Sequence, residues 1–517
     1  MTPPDPNDAP LALPEYWNYA RDVVDTYASE RGRRALHYRD AEGQDHHFDF
    51  PAMSEGIHRF ASVLERLGVR PGDTLMVLLP PMPEWQICVI GALAHGVVAI
   101  PTSIGGHSPR EIQRRAEHSE AVAIVTLAEH RALIDAIAPT LPRLRHRLVV
   151  DEARPPAPWQ ELAHVMASAD PDYPGHPTRL EDPALVFYTS GTTGAPKGVL
   201  HSHAYPFAAA RQGPLWHGLR DGDRFWPTTG FAKAAFVPWA CGASIVVTRE
   251  ALAPEEQLER LAVLDPDVFC APPSSYRAMV QHDLSPLRGL RLRECIAAGE
   301  PLNPAVQRRW HTETGIPVRD GYGQSEAGLL IAHGPGAPPR PGSMGRPLPG
   351  FDVAIIDEAG VERAPDIVGD LAVRLPAPGL FLRYWKDPEA TNKTRRKGWY
   401  LTGDRARRDA AGDFWFIGRA EDVITGSGAE ISPFEVESQL LEHPDVVEAA
   451  AVAARDGSGV EAHVVLRPGT EASGELETAL RGAFGPFSAA CPRRFVYVDA
   501  LPKTATGKIR RREIGRR

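Results

Sequence analysis

Residues 184–201 read ALVFYTSGTTGAPKGVLH and combine an apolar run with a polar, glycine-rich loop. The run, ALVFY, has the character of a buried strand. Between positions 189 and 198 the loop carries four hydroxyl side chains, three glycines and Lys197. Glycines let backbone amides approach an anion closely, hydroxyls donate to phosphate oxygens, and a lysine adds positive charge. The stretch therefore predicts a phosphate-binding loop after a strand, because a plain surface turn does not need hydroxyls and a lysine together.

This loop differs from a Walker A loop, which ends in Gly-Lys followed by Ser or Thr. Lys197 instead follows Pro196 and precedes Gly198, which disfavours a kinase or GTPase of that type. The stretch closely resembles the phosphate-binding signature of the adenylate-forming superfamily, which comprises acyl-CoA synthetases, stand-alone adenylation domains and luciferases. The resemblance assigns to ATP the loop residues Thr189, Ser190, Gly191, Thr192, Thr193, Gly194 and Lys197.

Composition excludes several other classes of protein. The 517 residues exceed one ordinary domain, and 43% apolar with 24% charged residues is typical of a globular protein. A net charge of -9 does not indicate a nucleic-acid partner, and the basic segment 508–517 is interpreted as a solvated tail. Five scattered cysteines without CxxC spacing favour a reducing compartment, so we expect a cytoplasmic protein. No signal peptide is predicted, and the longest apolar stretch, 87–94, is too short to span a membrane.

Short apolar runs alternate with segments of helical periodicity through most of the chain. Strands are predicted at 74–79, 97–101, 121–126, 148–151, 244–248, 268–271, 294–298 and 317–319. Helices are predicted at 16–31, 52–67, 85–95 and 108–118, and the Pro- and Asp-rich segment 153–183 is predicted to be a connection. The alternation predicts an α/β fold of βα units with largely parallel sheets.

A change of pattern after the proline–glycine connection 334–350 indicates further units. Apolar runs at 352–357, 370–375, 400–405 and 413–418 predict a small β-rich subdomain. Residues 420–517 carry their own predicted helices and strands, and a section of that size can form a small domain. We therefore expect a flexible tail at 1–13, a large domain at 14–419 that binds ATP and acid, and a mobile α+β domain at 420–517.

The stretch 320–328, DGYGQSEAG, is a second candidate site. Tyr322 could stack on a flat base, and Ser325 could donate to a phosphate. Glu326 could hold Mg²⁺, which takes oxygen ligands and usually shares substrate phosphates. The stretch resembles the adenine-and-magnesium motif of the superfamily, which includes Gly323. The family usually has Thr at position 325, and we expect Ser325 to keep the role because it keeps the hydroxyl.

Two carboxyl-terminal stretches complete the resemblance. In 399–436, Asp404 lies near the end of the predicted strand 400–405, after a glycine, and Arg419 follows the predicted strand 413–418; a carboxylate can accept both ribose hydroxyls, and an arginine can clamp sugar or phosphate. The matching family residues hold the ribose, the family hinge falls at Glu421, and Gly428 matches a glycine that leaves room for the pantetheine of CoA.

In 501–511, LPKTATGKIRR, Lys508 matches the mobile-domain lysine that bridges the acyl carboxylate and the α-phosphate. A positioned cation there would offset the repulsion between two anions as the carboxylate attacks phosphorus.

The acid pocket is assigned by resemblance to the medium-chain and aromatic acyl-CoA synthetase branch. The stretches 229–243 and 418–438 resemble that branch most. The candidates for the pocket walls are Phe231, Ala235, Val237, Ala298, Gly299 and Gly323, and the alternative for most of them is a plain core position. One departure concerns CoA: Ala429-Glu430 stands where the branch usually has Tyr-Arg, and Glu430 places negative charge near the expected path of the CoA phosphates.

The motifs together predict a two-domain ligase. With ATP and Mg²⁺ it would convert an apolar carboxylic acid into acyl-AMP and pyrophosphate, and then transfer the acyl group to CoA. One alternative keeps the first step and uses an amine or a carrier protein as acceptor. The other is a non-catalytic nucleotide-binding protein, which is disfavoured because Lys508, Glu326, Asp404 and the phosphate loop are all present.

Overall fold

Two sheets built largely from parallel strands make up most of the large domain in the computed structural model. The structure describes residues 13–102, 108–189, 197–228, 234–249, 252–336, 338–426, 429–455, 459–484, 488–503 and 509–514. The strands up to residue 419 are β1 (Arg34–Arg39), β2 (Asp45–Asp49), β3 (Thr74–Leu78), β4 (Val98–Pro101), β5 (Ala123–Thr126), β6 (His146–Val149), β7 (Trp159–Glu161), β8 (Pro183–Thr189), β9 (Lys197–Ser202), β10 (Arg224–Pro227), β11 (Ser244–Thr248), β12 (Val268–Ala271), β13 (Glu294–Ala298), β14 (Val318–Gln324), β15 (Gly328–Ala332), β16 (Arg346–Pro347), β17 (Val353–Ile356), β18 (Gly369–Arg374), β19 (Arg383–Tyr384), β20 (Arg395–Arg396), β21 (Trp399–Arg408) and β22 (Phe414–Arg419). The α-helices of this part are α1 (Phe50–Arg66), α2 (Pro83–Ala94), α3 (Pro109–Ser119), α4 (Arg131–Ile137), α5 (Leu162–Ala167), α6 (Ala204–Gln212), α7 (Pro254–Leu264), α8 (Pro273–Met279), α9 (Pro304–Thr314) and α10 (Pro388–Lys393).

The first sheet has the strand order β16-β15-β14-β13-β12-β10-β11-β1-β2, and its neighbours from β14 to β1 are parallel. The second has the order β19-β9-β8-β4-β3-β5-β6-β7, parallel from β8 to β7. Parallel strands are covered on both faces, which is why all five residues of β3 are buried. The largest apolar cluster contains residues of both sheets, such as Leu75 and Ile245. The predicted α/β class with largely parallel sheets is confirmed.

A smaller antiparallel sheet and a carboxyl-terminal unit follow. The sheet has the order β17-β18-β21-β20, with β22 paired to β21. Beyond it lie β23 (Ile424–Gly426), β24 (Ala429–Ile431), α11 (Pro433–Leu440), β25 (Val446–Ala453), β26 (Val460–Leu466), α12 (Gly474–Gly482), β27 (Arg494–Tyr497) and α13 (Arg511–Ile514). Strands β25, β26 and β27 form one sheet with its own apolar cluster. Among the helices of the described segments, none is long and apolar enough to cross a bilayer.

The helix predicted at 16–31 is wrong in extent. The chain forms only a five-residue π-helical turn, Ala20–Val24, and a 3₁₀ turn, Asp25–Tyr27. The Asn18 side chain accepts from the Ala20 N–H at 3.1 Å and donates to Leu93 O at 2.8 Å. Local side-chain hydrogen bonds of this kind compete with helical backbone bonds.

Residues 153–183 are more than the predicted connection, because they contain β7 and α5. The buried Trp159 packs in an apolar cluster beneath the edge of the second sheet. Three residues are too few to show a period in the sequence, so this short strand has no sequence signal. The β1–β2 hairpin was not predicted either, because β2 is largely exposed and reads DHHFD.

Candidate active site

A cavity of 1920 Å³ lies at the carboxyl ends of the parallel strands and reaches the carboxyl-terminal unit. Open α/β sheets bind their ligands at these strand ends. Thr189 at the end of β8, Ala298 at the end of β13 and Tyr322 near the end of β14 line it. The cavity therefore brings together residues from the first two sequence motifs.

The residues on either side of the predicted phosphate loop lie at this cavity. Thr189 of β8 and Lys197 of β9 are register partners, and both line the cavity. The Lys197 Nζ lies 5.1 Å from the ring centroid of Tyr384. The intervening loop residues lie outside the described part of the chain: Ser190, Gly191, Thr192, Thr193 and Gly194.

Asp404 is the centre of a polar cluster on one wall. The antiparallel pairing of β21 with β22 sets Asp404 opposite Arg419, whose Nε lies 3.1 Å from Asp404 Oδ1. The Tyr322 hydroxyl and the Gln324 amide both donate to Asp404 Oδ2, the latter at 2.8 Å. Burial and the neighbouring Asp404 carboxylate raise the pKa of Tyr322 well above its ordinary value. The structure thus joins the three predicted nucleotide residues, Tyr322, Asp404 and Arg419.

Glu326 belongs to a second polar cluster. Its Oε1 accepts a hydrogen bond from the Tyr384 hydroxyl at 2.8 Å, and burial and this carboxylate raise the pKa of Tyr384. The backbone carbonyl of Ser325 accepts from His201 Nε2 at 2.7 Å. Tyr384 and His201 were not predicted. Both are brought in by strand pairing, β19 with β9 and β8 with β9, and no local pattern marks them.

The predicted acid-pocket residues are placed unequally. Val237, Ala298 and Gly299 line the cavity. Ala235 is fully buried in the main apolar core and is not part of the cavity wall, because the core and not the pocket encloses it. Phe231 lies outside the described residues.

Two glycines of the wall are required by the backbone. Gly299 has a φ of +99°, in the left-handed region that side chains rarely adopt. A Cβ on Gly323 would lie 2.1 Å from the carbonyl oxygen of Gly328, so the turn between β14 and β15 leaves no room for one. At both positions the backbone itself forms the cavity wall, because glycine has no side chain.

The carboxyl-terminal segment faces the same cavity. Residues 509–513 line it together with Glu421, whose carboxylate pairs with Arg512. The backbone of Lys503 pairs with Ile509, and Arg511 Nη2 lies 2.7 Å from both carboxylate oxygens of the buried Glu437. Lys508 and Gly428 themselves lie outside the described residues, and the contacts at 503, 509 and 511 anchor both ends of the stretch that carries Lys508.

Glu430 contacts the large domain. Its Oε1 accepts from Arg405 Nη2 at 2.7 Å, and Arg405 Nη1 donates to Asp370 at 3.0 Å. The negative charge at position 430, which simple electrostatics makes unfavourable for CoA phosphates, is therefore offset by Arg405 in this arrangement.

Asp320 is a cavity residue to which the sequence assigned no role. Its carboxylate accepts from the Gly321 N–H at 2.9 Å, and burial raises the pKa of Asp320 to about 7. Its place directly after the predicted strand 317–319, at the start of the second motif, was the signal that could have identified it.

We predict that Asp320→Asn is more stable than the wild type at pH 8 but not at pH 4. Between its unfolded pKa near 3.9 and its folded pKa near 7, the native state holds a proton that the unfolded state releases, so wild-type stability falls as pH rises. The difference corresponds to at most about 4 kcal/mol above pH 7. Urea unfolding of both proteins at the two pH values measures it; a gap independent of pH would contradict a raised pKa.

Asp404→Ala is expected to weaken ATP binding about tenfold to 150-fold, which corresponds to a lost charged hydrogen bond of roughly 1.5–3 kcal/mol. Stability should also fall, because Tyr322 and Gln324 lose their acceptor. Calorimetric titration with ATP gives the affinity. The matched control is Asp413→Ala, a buried aspartate that pairs with Arg346 away from the cavity and should lower stability alone. An unchanged ATP affinity in Asp404→Ala would make Asp404 purely structural.

Comparisons with known proteins agree with this geometry. The family model described as AMP-binding enzyme matches residues 24–385, and that described as AMP-binding enzyme C-terminal domain matches residues 435–508. The acyl-coenzyme A synthetase ACSM3, mitochondrial, of Mus musculus is 34% identical over 534 residues, which cover 98% of this chain and 91% of that protein. The predicted resemblance to medium-chain acyl-CoA synthetases is confirmed.

Solved structures give the same result. A crystal structure of the anthranilate CoA ligase AuaEII in complex with anthranoyl-AMP matches with a TM-score of 0.87 and 29% identity, covering 97% of each chain. The structures of a benzoate CoA ligase from Burkholderia xenovorans LB400 match with a TM-score of 0.83 and 27% identity, covering 96% of this chain and 99% of the other. The fold of this chain is thus one found in ligases of aromatic acids.

Proposed function

The chain belongs to the AMP-binding enzyme family, and on this basis we propose that it is an AMP-forming ligase of carboxylic acids and CoA. It activates an apolar medium-chain or aromatic acid with ATP to acyl-AMP and pyrophosphate, and then transfers the acyl group to CoA. The observation that carries the proposal is that residues 509–513 and the Tyr322–Asp404 cluster line one cavity. The lysine-bearing segment and the nucleotide residues therefore act on the same substrates.

The nucleotide is assigned to residues from three motifs. Tyr322 and Gly323 lie against the base, Asp404 and Arg419 hold the ribose, and Ser325 donates to phosphate. The glycine-rich loop surrounds the phosphates through Thr189, Ser190, Gly191, Thr192, Thr193, Gly194 and Lys197. Support comes from the contacts of Asp404 with Tyr322 and Arg419 and from the pairing of Thr189 with Lys197.

Glu326 is assigned to Mg²⁺. One carboxylate oxygen is engaged by Tyr384, and the other makes no hydrogen bond with any described residue although Glu326 lines the cavity. An available carboxylate oxygen beside the phosphate loop fits Mg²⁺, which takes one or two carboxylates and shares substrate phosphates. When bound, the ion would offset phosphate charge.

In the first step the main contribution of the protein is the placement of charge. The acid carboxylate attacks the α-phosphorus, and pyrophosphate leaves. Both reacting groups are anionic, so Lys508 stabilises the negative charge that develops between them. Val237, Ala298 and Gly299 form part of the pocket for the acid, and Phe231 is assigned to the same pocket.

The second step requires a different domain arrangement. Residues 14–419 form the large domain and 420–517 the mobile one, which turns about Glu421 after acyl-AMP has formed. Gly428 then borders the passage for pantetheine, whose thiol attacks the acyl carbon and releases AMP. The separate apolar cluster of the carboxyl-terminal sheet supports its movement as a unit.

We place the enzyme in the cytoplasm. All five cysteines are free thiols, which suits a reducing compartment. Because the mouse relative is named mitochondrial, fractionation of the producing cells with compartment markers is the appropriate test.

The test of the function uses medium-chain and aromatic acids with ATP and Mg²⁺. Pyrophosphate release measures acyl-AMP formation, and acyl-CoA is quantified separately. The expected result is release with at least one acid and thioester formation when CoA is supplied. Parallel reactions with hydroxylamine distinguish an amide ligase. If hydroxamate forms but no thioester does, the acceptor is an amine or a carrier protein and not CoA. No pyrophosphate release with any acid would indicate a non-catalytic nucleotide-binding protein.

A further inference from the structure

Trp216 and His217 form a polar part of the cavity wall that the nucleotide does not explain. Both side chains are buried, and both residues line the cavity. A Cβ on Gly321 would lie 2.6 Å from Trp216 Cζ2, so the indole packs directly on Gly321 of β14. Successive strand residues point to opposite faces, so Trp216 lies on the face of β14 opposite to the Tyr322 side chain. This wall therefore belongs to the part of the cavity left for the acid.

His217 presents a hydrogen-bond acceptor. Its Nδ1 lies 3.1 Å from the carbonyl oxygen of Gln212, which can only accept, so Nδ1 carries the proton. Burial lowers the pKa of His217 to about 4, and the imidazole is therefore neutral near pH 7. In that form Nε2 is an acceptor, and it makes no hydrogen bond with any described residue.

Trp216 presents a hydrogen-bond donor. Its indole Nε1–H is buried and finds no acceptor in the described part of the chain. The Trp216 and His217 rings are in contact, with centroids 4.5 Å apart, so the donor and the acceptor belong to one patch of the wall. Ala208, Ala298 and Leu329, which also line the cavity, are small or apolar. They leave space for a small polar group of a ligand without supplying a polar partner.

We propose that the acid carries a hydroxyl group remote from its carboxylate, which accepts from Trp216 Nε1 and donates to His217 Nε2. This rests on the proposed acid-activating function and specifies the class of acid. A hydroxyl is the smallest group that donates and accepts at once; an amine mainly donates, a ketone only accepts, and a methyl group does neither. A site built to hydrogen-bond a hydroxyl rejects the analogue without it, because its buried polar groups are then left unpaired.

The experiment compares acids that differ only in this group. Pyrophosphate release is measured with 2-, 3- and 4-hydroxybenzoate and the corresponding methylbenzoates and aminobenzoates, and with 6-hydroxyhexanoate against heptanoate. We expect at least one hydroxy acid to exceed its methyl counterpart tenfold or more in kcat/KM. Trp216→Phe and His217→Phe should each lower that ratio about tenfold. Trp310→Phe is the matched control, because Trp310 is also fully buried but lies in another apolar cluster and does not line the cavity; the ratio of hydroxy to methyl acid should not change in this variant.

The outcomes separate this proposal from the function on which it rests. If every methyl acid is used as well as its hydroxy partner, the hydroxyl site is wrong although the enzyme still activates acids. If the preference for the hydroxy acid exists but is the same in Trp216→Phe, His217→Phe and Trp310→Phe, the side chains of Trp216 and His217 do not cause it. The ratio of kcat/KM between hydroxy and methyl acids in the wild type tests the hydroxyl site even if a variant does not fold. If no acid releases pyrophosphate, the proposed function itself fails.

Discussion

Lys508→Ala is expected to slow acyl-AMP formation by at least about a hundredfold. Loss of one preorganised charge contact in a transition state commonly costs about 3–4 kcal/mol. The structure adds a reason for a large effect: the segment after Lys508 lines the cavity and is anchored by the pair between Arg511 and the buried Glu437. Pyrophosphate release in single-turnover reactions measures this step. Transfer to CoA from supplied acyl-AMP should be largely retained.

Lys503→Ala is the matched control for this prediction. Lys503 lies on the same carboxyl-terminal segment, but its ammonium pairs with Glu448 and it does not line the cavity. Its loss should have little effect on either half-reaction. If Lys508→Ala reduced both half-reactions equally, Lys508 would have a general structural role and would not be the adenylation residue.

Glu421→Pro is expected to leave acyl-AMP formation near the wild-type rate and to slow acyl transfer severely. Hinges absorb domain motion in a few backbone dihedrals, and proline fixes φ. Residue 421 lies in a turn in which the Asp422 N–H donates to Arg419 O at 2.9 Å. The arrangement described here already places 509–513 at the cavity, so we expect proline to retain the adenylating form. Pyrophosphate release and acyl-CoA appearance follow the two steps separately.

Glu421→Ala distinguishes the backbone effect from the loss of a charge. It removes the ion pair with Arg512 but keeps the dihedral freedom of the turn. Acyl transfer should therefore remain much faster in Glu421→Ala than in Glu421→Pro. If Glu421→Pro transferred the acyl group as fast as the wild type, the pivot would have to lie at another residue.

Local sequence patterns predicted the elements that bury a full face and missed those that do not. Most of the buried strands and helices of the two sheets follow from apolar periodicity, whereas the exposed strand β2 and the three-residue β7 carry too few periodic positions. The short turns at Ala20–Val24 and Asp25–Tyr27 replaced a predicted helix because Asn18 forms local hydrogen bonds.

The site residues also divide into those that a local motif identifies and those that it does not. Tyr322, Asp404 and Arg419 were identified by motif, and the structure joins them. Tyr384 contacts Glu326 across 58 positions, and His201 contacts Ser325 across 124. Such partners are set by how distant strands pair, which a pattern within one segment does not contain.

The position of Arg405 between Asp370 and Glu430 has a consequence for turnover. If the small domain turns away as proposed, Glu430 leaves, but the Arg405 guanidinium keeps Asp370 as its counter-ion. No charge is then stranded, and breaking a partly exposed pair costs only roughly 0.2–1 kcal/mol. Under the proposed rotation each catalytic cycle would open and reclose this contact, and a weak ion pair would allow the two arrangements to interconvert rapidly. A stronger ion pair between Arg405 and Glu430 would favour the adenylating arrangement and slow the second half-reaction.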